Sequence, residues 1–122
     1  MSYFISPPEE SPTWSIDLNG FVARIRDRWP EAQVQRIESP ESYHAVESEV
    51  EMAHGPMSLA LSRDGQAVIL EGDIEDCAEL ALWVRQMVPE EQSLLFYDEG
   101  FGADVSLTMR TSKEEIVRPF LA

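Results

Sequence analysis

The sequence predicts an α+β fold: a mostly antiparallel sheet with two helices packed on one face and a short C-terminal helix. Three observations point to it. Two segments repeat apolar residues at the helical period, and each runs into a proline. Short alternating or wholly apolar runs of strand length surround them. Turn signals separate those runs, foremost Asp64-Gly65, the strongest short-range mark of a hairpin.

In chain order, Tyr3 to Ser6 is a short strand stopped by Pro7-Pro8, and an acidic loop follows in which Trp14 is the anchor. The first helix runs from a cap at Asp17 or Asn19 to Trp29. Leu18, Phe21, Val22, Ile25 and Trp29 form its apolar stripe, and Pro30 ends it. Gln33 to Glu38 is a strand, and a Ser39-Pro40-Glu41-Ser42 turn leads to another over His44 to Met52. In that strand Glu47, Glu49 and Glu51 alternate with Ser48, Val50 and Met52, which makes one face wet and acidic.

His54-Gly55-Pro56 is read as a break before a strand over Met57 to Ser62. Beyond Asp64-Gly65, Ala67 to Glu71 is apolar on both sides, which predicts a central strand covered on both faces. The second helix starts at Asp73, with Glu75 and Asp76 suited to its positive end, and stops at Pro89. Ser93 to Tyr97 and Asp104 to Met109 are strands. Ser112 to Glu115 is a capping box that starts the last helix, with Ile116 and Val117 inside and Pro119-Phe120-Leu121 docking at its end.

Aligning Pro30 with Pro89, an offset of 59, matches Phe21 with Leu80, Ile25 with Val84, Arg26 with Arg85 and Glu31 with Glu90. Both halves, 1–62 and 63–122, then read strand, helix, strand, strand. An internal duplication and convergent helix-ending chemistry both explain the match.

A chain of 122 residues fits one domain that buries roughly two-thirds of its unfolded surface. The net charge of −14 argues against nucleic acid and anionic membrane, which need a positive surface, and suits a cationic protein partner. Solubility is the plainer use of the same charge. The single cysteine, Cys77, closes no intrachain disulfide, and Met1 to Pro12 has neither the basic nor the apolar region of a signal peptide. A cytoplasmic protein without a membrane span is expected.

The motifs are sparse. Phe96 to Val105, FYDEGFGADV, is first a hairpin with two glycines in its loop. Phe101 at its tip either tucks over the sheet edge or stands out as an anchor among Asp98, Glu99 and Asp104. At 100° per residue, Ile74, Cys77, Ala78, Leu80, Ala81, Val84, Met87 and Val88 of the second helix fill one arc, whereas Leu82 and Trp83 project among Glu75, Asp76, Glu79 and Gln86. Either Trp14 or Phe120-Leu121 covers them, or they meet a partner or a second copy. His44 and His54 find no third metal ligand at a characteristic spacing, and Cys77 falls in a core arc where Asp76 raises its pKa. No catalytic residue, metal or cofactor is assigned.

At Arg26 to Pro30, Gly65 to Asp73 and Leu95 to Phe101 the chain resembles small acidic proteins of high-GC bacteria, a group mostly uncharacterised. In size, charge and helix-on-sheet layout it is similar to immunity proteins that neutralise secreted toxins. That resemblance implies a basic toxin as partner and assigns no residue. The function expected is thus non-catalytic protein binding, through Trp83, Leu82, Glu79, Glu75, Asp98, Glu99, Phe101 and Asp104. The alternative is a small-molecule or metal-dependent protein with its site in a cleft between the two halves.

Overall fold

The computed structural model describes residues 2–9, 14–100 and 102–121. Its elements in chain order are β1 (Ser2–Ser6), α1 (Leu18–Arg28), β2 (Gln33–Arg36), β3 (His44–Met52), β4 (Gly55–Ser62), β5 (Val68–Glu71), α2 (Ile74–Arg85), β6 (Leu94–Asp98), β7 (Asp104–Leu107) and α3 (Lys113–Val117), followed by a 3-10 turn over Arg118–Phe120. The strands form one seven-stranded sheet in the order β2-β3-β4-β5-β1-β6-β7, and every pair is antiparallel. The α+β class, the antiparallel sheet and the short C-terminal helix stand as the sequence indicates.

Local chemistry sets the element ends. Asp17, Asp73 and Ser112 are the N-caps, and the Ser112–Glu115 capping box is reciprocal. α2 stops at Arg85 and not at the proline, because Gln86, Met87 and Val88 donate to carbonyls three residues back, and the last turn tightens. His54-Gly55-Pro56 does not break the sheet. Ala53 and His54 form a two-residue hairpin loop between the paired Met52 and Gly55. At the other hairpin Gly65 takes a φ of 74°, and its carbonyl accepts the Ile16 N–H at 2.8 Å, which pins the segment before α1.

One face of the sheet holds the core. Tyr3 and Ile5 of β1, Val50 of β3, Met57, Leu59 and Leu61 of β4, Val68 and Leu70 of β5, and Leu94 and Phe96 of β6 pack in one cluster with Phe21, Val22 and Ile25 of α1, the inner arc of α2, and Ile116 and Val117 of α3. All three helices therefore lie on the same side. Phe120 closes the end of this layer edge-on to Tyr3 and Phe96, at ring-centroid distances of 5.5 Å.

The two halves share an order of elements but not a place in the sheet. β2, which follows α1, is the outer edge, whereas β6, which follows α2, sits beside β1. They interdigitate, since β5 lies between β4 and β1 and β1 lies between β5 and β6, so three hydrogen-bonded ladders join them.

Candidate partner-binding face

Because side chains alternate across a strand, each buried residue above has a neighbour on the opposite side of the sheet. The register aligns those neighbours in a row across all seven strands: Gln35, Glu47, Ala60, Ile69, Phe4, Tyr97 and Asp104. A second row runs Gln33, Glu49, Ser58, Glu71 and Ser2. No helix among the described residues covers this face, since all three pack into the core on the other side. Ala67 to Glu71 is thus central in the sheet, as expected, but covered on one face only.

The centre of the uncovered face is apolar and its flanks are acidic. Phe4 and Tyr97 stack at 5.5 Å with planes 20° apart, and the Tyr97 hydroxyl is 2.8 Å from the Ser6 hydroxyl. Ile69 continues the strip to Ala60. Glu47, Glu49, Glu51 and Glu71 are exposed beside it, with Asp104 at the far end. Glu47 meets the His44 Nδ1 at 2.6 Å, whereas Glu49 and Glu71 have no hydrogen-bond or ion-pair partner among the described residues.

None of the nine Lys and Arg lies on this face. Arg24, Arg26 and Arg28 are on α1, Arg85 is inside α2, and Arg36 turns toward α1 to donate to the Asn19 amide oxygen at 3.0 Å. Arg63, in the β4–β5 turn, donates to the carbonyls of Ile37, Ser39, Ser42 and His44 and holds the β2–β3 connection. A recess of about 400 Å³ opens over β2 to β5, with Ala60 and Ile69 beneath, Glu47, Glu49 and Glu71 around it, and Gln33, Gln35 and His44 along its β2–β3 side.

The residues singled out in the sequence fall in separate places. Trp83 is half-buried, 5.3 Å from the Trp29 ring and 6.1 Å from Phe21, so it joins α2 to α1. Leu82 is likewise half-buried against the core. Neither Trp14 nor Phe120 stacks on Trp83; α1 does, and it also supplies Arg28 to Glu79 at 2.6 Å. Asp98 accepts from Gly102 N–H at 3.0 Å within the β6–β7 turn, and Glu99 accepts from Ser2 N–H at 3.2 Å. Phe101 lies outside the described residues. Among the described members of this set, Asp104 alone shares the face with Phe4 and Tyr97.

Glu75 belongs to a cluster that sequence spacing does not show. The loop residue His54 places Nδ1 2.9 Å from Asp76 and Nε2 3.1 Å from Glu75, with Asp73 3.8 Å away. One atom each from His54, Asp73 and Glu75 come within 4.8 Å of one another, close enough to hold a metal ion. Both ring nitrogens face carboxylates, so the geometry calls for the doubly protonated imidazolium. The Asp76 hydrogen bond, first among the causes, raises the His54 pKa against the smaller opposing effect of desolvation. Cys77 lies beneath: burial, then Asp73 and Asp76, push its thiol up to about 12, which disarms it as a nucleophile.

No family model, curated protein or solved structure matches the chain.

Proposed function

We propose that this protein is a non-catalytic binding module that docks a basic protein on the uncovered face of its sheet, and that the partner is a toxin which it neutralises as immunity proteins do. The observation behind this reading is the row Glu47, Ala60, Ile69, Phe4, Tyr97, Asp104: a largely buried apolar strip with carboxylates at both ends and no lysine or arginine on its face. The acidic flanks would steer a positive partner and exclude negative ones, and desolvation of the aromatic centre would set the lifetime of the complex. The helices serve as a rigid backing for that surface.

A growth assay tests the proposal. The genes beside this one are read for a basic toxin domain, which is then expressed alone, with the wild-type chain and with Glu47→Lys/Glu49→Lys. Rescue by the wild type and not by the folded variant is the expected result. Equal rescue by both, or neighbours that form a metabolic operon, would count against the reading.

A further inference from the structure

The recess over β2 to β5 has the chemistry of a socket for one side chain, and this step rests on the docking reading above. Its row Glu49, Ser58, Glu71 places two carboxylates on either side of a small hydroxyl. Strands lie about 4.8 Å apart, so the two glutamate backbones are about 10 Å apart across β4. In an antiparallel sheet the middle position of such a row is where a lysine or arginine would offset its neighbours. Here it is Ser58, and the chain supplies no lysine or arginine from elsewhere on the face; His44 at its edge meets Glu47 and leaves Glu49 and Glu71 without a partner among the described residues. The next row gives an apolar floor, Ala60 and Ile69, with Glu47 at its end.

We infer that the recess takes an arginine side chain of the partner, its stem lying along Ala60 and Ile69 and its guanidinium between Glu49 and Glu71. Arginine fits better than lysine for two reasons. Its planar fork presents five donors, enough to meet both carboxylates at once, and its weaker hydration lowers the cost of settling on an apolar floor. A volume of about 400 Å³ leaves room for the stem and the head group.

The test titrates the isotope-labelled full-length chain with N-acetyl-arginine amide, and in parallel with the lysine and citrulline analogues, and follows backbone amide resonances at constant ionic strength. Saturable shifts confined to residues 47–49, 58–60 and 69–71 are expected, with the citrulline analogue inert. The apparent affinity should fall at least about tenfold in Glu49→Gln/Glu71→Gln and stay unchanged in Glu90→Gln/Glu91→Gln. Shifts spread evenly over all the acidic surface, or equal binding of the lysine analogue, would overturn the assignment. If the partner protein docks on this face while the arginine probe leaves the recess unmoved, the socket is refuted and the docking face survives. If the probe fills the recess but partner binding ignores the face, the converse holds.

Discussion

His54 is the residue on which three carboxylates converge, and its raised pKa makes a statement about stability. The charged ring is favoured in the folded state, so its contribution is fully present below the ordinary value of 6.5 and is lost as pH rises through the higher folded value. Melting temperatures of the wild type and His54→Gln should therefore differ most in mild acid and converge as pH climbs past that range. A difference that stays constant from about pH 6 to pH 9 would contradict the imidazolium assignment. Arg85 supplies the second test at this scale. It is 1% exposed and donates to the carbonyls of Gln92, Val88 and Pro89 at 2.8, 3.3 and 2.6 Å, closing the C-terminus of α2 without a carboxylate contact. Desolvation lowers its pKa, but a guanidinium starts so high that it stays charged. Arg85→Met leaves those carbonyls unpaired and should cost about 2–4 kcal/mol in urea unfolding. A loss below about 0.5 kcal/mol would mean that water replaces the guanidinium at no cost.

At the scale of elements, the second helix explains both what the sequence discloses and what it hides. Its N-cap and its inner arc are local features, and so its start and inward side can be read directly from the chain, whereas its end at Arg85, short of Pro89, cannot. Trp83 looks stranded on the polar side only when the helix is pictured against the sheet alone. α1 lies alongside as a second contact surface, and Trp29 and Phe21 take that flank. Trp83→Ala should therefore cost about 2 kcal/mol of stability, less than a fully buried tryptophan, and leave partner affinity unchanged. Loss of binding with stability intact would restore the helix as the docking surface. The strands carry the same lesson. Phe4 reads as one more strand residue until β1 is known to lie between β5 and β6, a pairing of strands far apart in sequence. After that it lines up with Ile69 and Tyr97, and the strip becomes visible. Alternation marks Glu47, Glu49 and Glu51 as wet, but no local pattern says which strands flank them or that Glu71 sits one strand beyond Ser58.

For the whole molecule, the excess of negative charge is both a cost and a tool. Self-repulsion opposes the compact state, so raising NaCl from about 10 mM to about 0.5 M, which shortens the screening length to a few ångströms, should raise the melting temperature of the free protein. A fall would mean that specific ion pairs such as Arg28–Glu79 outweigh the repulsion. Under the docking proposal, where the charge sits matters more than its sum: the lysines and arginines lie on the helices, the loops and the helix side of β2, and none lies on the uncovered face. The measurement closest to this claim compares two triple variants with the same change in net charge. Glu47→Lys/Glu49→Lys/Glu71→Lys alters the uncovered face, and Glu31→Lys/Glu90→Lys/Glu91→Lys alters positions off it. With the basic partner that the docking proposal requires, at low salt, the first should slow association at least about tenfold and the second less than about threefold. Equal slowing by both would show that net charge alone is at work and that the uncovered face has no special part.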